Sequence, residues 1–114
     1  MDPHDDYVIF SQKVADEVRH DPSHRGIVIC GSGAGVDMVA NKVDGIRCAL
    51  IFDEVRAVQA REHEDVNMIA LPSDALDTDT AYKMVKAFLE TPFLGEERHI
   101  RRLQELKEVE ETHS

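Results

Sequence analysis

Two hydrophobic patterns take turns along this chain. Over Tyr7 to His20 the apolar positions Val8, Phe10 (or Ile9), Val14, Ala15 and Val18 recur at helical spacing and predict an amphipathic helix. Asp5 or Asp6 is placed to cap its start, and Asp21-Pro22-Ser23 ends it because proline cannot continue a helix. Ile27 to Cys30 is a short, continuous, β-branched run, which predicts a strand buried on both faces as in a parallel sheet. A second such run spans Ile46 to Phe52 after the turn signal Asp44-Gly45, and a third spans Val66 to Leu71, closed by Pro72 and Ser73. Between them, Val36, Met38, Val39, Ala40 and Val43 suggest a short helix. Asp53 to Glu62 suggests another with Asp53 as N-cap, followed by a polar junction at His63-Glu64-Asp65. From Thr78 or Asp79 a further helix carries Ala81, Met84, Val85, Phe88 and Leu89 on one stripe, until Thr91-Pro92-Phe93 breaks it. The last helix, about Glu96 to Glu110, is mostly charged. Its seam of Ile100, Leu103, Leu106 and Val109 is narrow enough to predict docking onto a partner subunit rather than a place in the core.

Strands alternating with helices predict an α/β fold of parallel strands joined by right-handed crossovers, in a single domain over residues 1–114. Such a sheet binds ligands beyond the carboxyl ends of its strands. Cys30, the loop after it, Asp53 and the turn at 72–74 belong to that edge. His63 precedes its strand and belongs to the opposite end, so within one subunit nothing in the order of elements brings it to Cys30. A second subunit could.

Composition narrows the class. With 42% apolar and 32% charged residues among 114, a soluble globular protein is expected, and no apolar run approaches the roughly 20 residues that span a bilayer. The acidic start, MDPHDD, is not a signal or transit peptide of the usual kind. Cys30 and Cys48 lie on separate predicted strands without metal-binding spacing, so both read as reduced thiols in a cytoplasmic protein. A net charge of −10 argues against a nucleic-acid partner. Arg98, Arg101 and Arg102 form one basic cluster, sufficient for a single phosphate.

The candidate chemistry sits at Gly31-Ser32-Gly33-Ala34-Gly35. Three glycines in five residues, between a strand and a helix N-terminus, expose backbone N–H groups where the helix dipole favours negative charge. The Gly-Lys-Ser/Thr ending of a P-loop is absent, and Val36 stands where a G-x-G-x-x-G pattern needs its third glycine. Cys30 immediately before the loop could be a base, since thiols at helix N-termini ionise more readily, or simply a small buried hydrophobe. The glycines could equally serve close helix–strand packing, His63 a helix C-terminus, and the arginines a solvated face paired with Glu105 and its neighbours. Cys48 reads as core.

Three separated stretches, CGSGAG…ANKVDGIRCAL, AREHEDVNMIAL and FLETPFLGEERHIRR, resemble the family of ribose-5-phosphate isomerase B and the galactose-6-phosphate isomerase subunits, over nearly the whole chain. The resemblance implies a Rossmann-like (flavodoxin-like) three-layer fold with a parallel sheet. It also implies a homodimer or higher homo-oligomer, possibly with a related isomerase subunit, whose active sites lie at the subunit interface. The implied activity is interconversion of aldose and ketose phosphates through an enediolate, with no cofactor. By the same resemblance Cys30 is the base between C1 and C2, and Ser32 assists proton transfer. The amides of Gly31, Gly33, Ala34 and Gly35 stabilise the enediolate, and His63 opens the sugar ring across the interface. Arg98 and Arg102 hold the phosphate with His99 beside them, Tyr7 lies near the sugar, and Asn67 falls within the His63 motif.

The chain also departs from that pattern. Family members begin with a strand ending in Asp-His, then a helix and a second strand, ahead of the tyrosine helix; none of these precedes Tyr7 here. Val8 replaces a proline, Glu64 an asparagine, and Asp37 puts a carboxylate just past the glycine loop. The expectation is therefore an N-terminally shortened member, a fragment or truncated gene product, with an uncovered edge at residues 26–30 and little activity alone. The alternative is a non-catalytic subunit that binds a sugar phosphate or serves assembly, and a weaker third reading is a nucleotide-binding module on the same loop.

Overall fold

Met68–Pro72 is the strand that both cores of the molecule share. A computed structural model describes residues 7–113, with the elements α1 (Tyr7–His20), β1 (Gly26–Cys30), α2 (Ala34–Asn41), β2 (Cys48–Leu50), α3 (Glu54–Glu64), β3 (Met68–Pro72), α4 (Thr78–Glu90) and α5 (Glu97–His113). The expected cap at Asp5 or Asp6 lies outside the described residues. The three strands are parallel in the order β1-β3-β2, with Gly26 opposite Met68 and Cys30 opposite Pro72 on one side, and Cys48 opposite Met68 on the other.

All five residues of β3 are buried, and the side chains alternate between two cores. Met68 and Ala70 join Ala15 and Val18 of α1 and Val36 and Ala40 of α2. Ile69 and Leu71 join Ala57 and Ala60 of α3 and Met84 and Phe88 of α4. Helices on both faces of a parallel sheet give the three expected layers.

Several expectations need correction. Burial on both faces holds for the central strand but not for β1, an edge strand whose Ile29 is 60% exposed. The second strand shrinks from the expected 46–52 to Cys48–Leu50, because pairing with β3 stops there. His63 and Glu64 are the last residues of α3 rather than a junction, and Asp65 ends the helix at φ 46°. Leu89 lies off the buried stripe of α4. In α1 the buried positions are Ser11, Ala15 and Val18, while Val8, Ile9 and Phe10 are exposed. Ser11 is inside because α1 crosses α2 closely, and its hydroxyl donates to the Val36 carbonyl at 2.7 Å.

The amino end of the sheet receives the carbonyl ends of α3 and α4, and arginines meet them. Arg61, buried, donates to the carbonyls of Thr91 (3.0 Å) and Val66 (2.7 Å) and to the Asp65 carboxylate (2.8 Å). Arg25 donates to the Phe88 carbonyl at 2.5 Å and Arg47 to that of Asp65 at 2.8 Å. Cations there offset the negative ends of the helix dipoles.

Candidate active site

At the carboxyl edge, β1 runs directly into the glycine loop. Cys30 is half-buried, and the Gly33 N–H points at its sulfur at 3.2 Å. Gly33 has φ 78°, and a Cβ there would meet Leu50 Cδ1 at 2.5 Å and the Pro72 backbone nitrogen at 3.1 Å, so glycine is required twice over. Ser32 is exposed and its Oγ accepts from Ala34 N–H at 3.3 Å, folding the hydroxyl back over the start of α2. Gly33 caps α2 without a side-chain acceptor, and the next amides have no partner within their own helix.

Tyr7, from the first turn of α1, closes one side of the loop. Its ring lies where a Cβ on Gly35 would sit, 2.8 Å from Cε2. The turn after β3 closes the other side. Ser73 Oγ donates to the Cys30 carbonyl at 3.3 Å and Asp74 N–H to the Gly31 carbonyl at 3.0 Å. Asp53, at the same edge, is spent as the N-cap of α3, accepting from Arg56 N–H at 2.7 Å. Asp37 turns away to Asn41 (3.3 Å) and the Cys48 thiol. Burial raises the Asp37 carboxyl above its ordinary range, and burial together with Asp37 pushes the Cys48 thiol well above the usual thiol range.

A second group gathers at the other end. His63 is in the last turn of α3, which starts at the carboxyl edge and runs back for 11 residues, about 16 Å. Its imidazole stacks on that of His99 from α5, centroids 4.7 Å apart and planes 9° from parallel. His99 is 4% exposed; its Nε2 lies 3.6 Å from Glu96 and has no hydrogen-bond partner. Burial, with the Arg98 charge and His63 next in weight, lowers its proton affinity. Arg98 and Arg102 are exposed on α5; Arg98 Nε is 3.2 Å from Glu96, whereas Arg102 makes no ion pair among the described residues. Asn67 is committed elsewhere: its Oδ1 accepts from Arg47 N–H (2.8 Å) and its Nδ2 donates to the Gly45 carbonyl (2.9 Å), pinning the approach to β2.

The expected site residues therefore fall into two sets. Tyr7, Cys30, Ser32 and the glycines are brought together at one edge, and His63, His99, Arg98 and Arg102 at the other. An open groove of about 1260 Å³ runs between α5 and the β2 edge and contains His63, His99 and Arg102 but not Cys30. Along its α5 wall stand Ile100, Leu106 and Val109, each at least half exposed. Asp74 was not singled out from the sequence; its position just past a buried strand at the carboxyl edge was the only signal.

Known proteins resemble this chain over most of its length. Residues 1–106 match the family described as Ribose/Galactose Isomerase. Ribose-5-phosphate isomerase B of Mycobacterium tuberculosis is 40% identical over 112 residues, covering 98% of this chain and 69% of that protein. Probable ribose-5-phosphate isomerase B of Mycoplasma pneumoniae is 40% identical over 103 residues, covering 90% and 67%. Among solved structures, type B ribose 5-phosphate isomerase from Trypanosoma cruzi superposes with a TM-score of 0.93 at 37% identity, covering 96% of this chain and 73% of that one. Ribose-5-phosphate isomerase B from Mycoplasma genitalium with bound ribulose-5-phosphate gives 0.91 at 39%, covering 97% and 73%. The chain belongs to the ribose/galactose isomerase family.

Proposed function

We propose that the chain interconverts an aldose phosphate and its ketose through an enediolate, ribose 5-phosphate and ribulose 5-phosphate first among the candidates and a hexose 6-phosphate next, in sites shared between two copies. One observation carries this reading: the glycine loop with Cys30 and the His63–arginine group are each well formed, yet stand at opposite ends of one sheet. In a symmetric pair, each end can face the complementary end of the partner.

The chemistry follows from the two halves. His63 of one copy assists opening of the sugar ring, and Arg98 and Arg102 of that copy hold the phosphate. Cys30 of the other copy, as thiolate, removes the proton from C2 of the open aldose. The electron pair moves into the C1–C2 bond and the carbonyl charge onto O1, where loop amides at the head of α2 stabilise it. Ser32 helps move a proton between O1 and O2. The proton held by the thiol returns at C1 and gives the ketose. Each step moves protons and electron pairs already on the sugar.

The test is turnover of ribose 5-phosphate and of a panel of hexose phosphates, followed by complementation. Cys30→Ala and His63→Ala are each expected to be inactive. Mixed and allowed to exchange subunits, they should recover roughly a quarter of wild-type activity, since half of the pairs then carry one intact site. No recovery in demonstrably mixed pairs would place the whole site within one chain, and no turnover on any sugar phosphate would leave the binding-subunit alternative standing.

A further inference from the structure

A carboxylate lies on the glycine loop, and the reaction as proposed does not use it. The turn at Pro72–Ala75 is fastened to the β1–loop junction by Ser73 Oγ on the Cys30 carbonyl and Asp74 N–H on the Gly31 carbonyl. These bonds aim the Asp74 side chain at Gly31. Its Oδ2 is 2.7 Å from where a Cβ on Gly31 would stand, so the carboxylate occupies the space that glycine vacates. Asp74 is exposed and makes no ion pair among the described residues. The candidate phosphate-binding arginines of the same chain stand at the far end of the sheet, so this negative charge faces the anion-attracting loop uncompensated.

That loop has a problem of selection. Amides at a helix N-terminus attract any anion, and the substrate's phosphate is more negative than the carbonyl oxygen on which charge builds only during reaction. Left alone, the loop would hold the sugar phosphate backwards, with the phosphate on the amides and C1–C2 far from Cys30. A fixed carboxylate beside the loop repels a dianion strongly and a neutral carbonyl or hydroxyl hardly at all, and it can accept a hydrogen bond from a sugar hydroxyl. We infer that Asp74 is a specificity-determining residue: placed on Gly31, it keeps phosphate off the glycine loop and reserves that loop for the uncharged carbonyl–hydroxyl end of the sugar.

For its substrate the inference rests on the isomerase reading; its charge logic can be tested without turnover. Asp74→Asn preserves shape and the backbone bond to Gly31 while removing the charge, and Asp74→Ser is a second variant of the same kind. In two-dimensional amide spectra of the full chain titrated with inorganic phosphate, the Gly31, Gly33 and Gly35 signals should respond in both variants at about a tenfold lower phosphate concentration than in wild type, an order set by one like charge at close range. In isomerase assays the inhibition constant of inorganic phosphate should fall by a similar factor, and backward binding of the sugar phosphate should lower kcat and KM together, leaving kcat/KM nearly unchanged. Equal titration midpoints at those three amides in wild type and variants, or no response in any of them, would overturn the assignment. If no sugar phosphate is turned over but the amide midpoints differ as expected, the isomerase reading fails and the role of Asp74 in excluding anions stands.

Discussion

The imidazoles of His63 and His99 lie face to face, 4.7 Å apart and nearly parallel, joining the end of α3 to the start of α5. With His99 buried and its proton affinity lowered, the stack favours the neutral ring. In the unfolded chain that imidazole takes up a proton near its ordinary value of 6.5, whereas in the folded chain it does so only at lower pH. Below about pH 6.5 the unfolded state therefore binds more protons, and stability is lost as pH falls through the folded value. Denaturant unfolding at pH 8, 6.5 and 5.5 should show this loss, and His99→Phe should reduce it. An identical pH dependence in the variant would assign the loss to other groups.

The two cysteines differ in environment more than in exposure. Cys30 has a backbone N–H at its sulfur, while Cys48 is held protonated by burial and by Asp37. Iodoacetamide at pH 8 should label Cys30 well before Cys48, and a bound sugar phosphate should protect Cys30. Cys30→Ala should lower kcat by at least about a hundredfold, the lower end for a positioned acid–base group, with little change in ligand affinity. Equal labelling of both thiols would count against an activated Cys30.

Gly33 tolerates no side chain. Gly33→Ala places a Cβ against Leu50 and the Pro72 backbone at φ 78°, where an L-residue costs roughly 1–2 kcal/mol before any clash is counted. Activity should be lost and the thermal midpoint lowered. Gly45, also at positive φ but with no atom closer than 4.0 Å to an added Cβ, serves as control: Gly45→Ala should cost stability only and leave kcat unchanged.

Arg98 and Arg102 are proposed to bind phosphate, not to carry chemistry. Replacing either with Ala should chiefly raise KM, more for Arg102, because Arg98 already shares its charge with Glu96 at 3.2 Å. An unchanged KM in both variants would put the phosphate elsewhere.

The groove beside α5 predicts the dimer. Ile100, Leu106 and Val109 are 50–56% exposed in the single chain, and burying each fully would contribute up to about 1.5–3 kcal/mol. Deleting the residues after Arg102 should leave monomers by light scattering, and a persisting dimer would move the interface away from α5.

Much of this was legible along the chain because the signals are local. α1 matches its expected span residue for residue, Asp53 caps α3 as expected, and α4 starts at Thr78, with Asp77, not singled out from the sequence, as its side-chain acceptor. The glycine loop announced itself because a sharp turn at a helix N-terminus needs a residue without Cβ. Harder to read was Ser11, a polar residue in the core whose burial depends on how closely α1 crosses α2. Arg61 was hidden for the same reason, since its carbonyl partners at Val66 and Thr91 are fixed by packing.

By itself, the sequence determined the kinds of element, their parallel arrangement and the sharp glycine turn between β1 and α2, because periodicity, capping and turn composition act over a few residues. Tertiary structure decided the rest. It put β3 between β1 and β2: all three strands are apolar, so no local pattern marks the middle one, and only the central strand is buried along its whole length. It separated Cys30 from His63 by the length of a helix, stacked His63 on His99, and laid the Asp74 carboxylate on Gly31. These relations join residues 36 and 43 positions apart for the histidine and the Asp74–Gly31 contacts (99 − 63 and 74 − 31), and no local preference encodes a distance across that much chain.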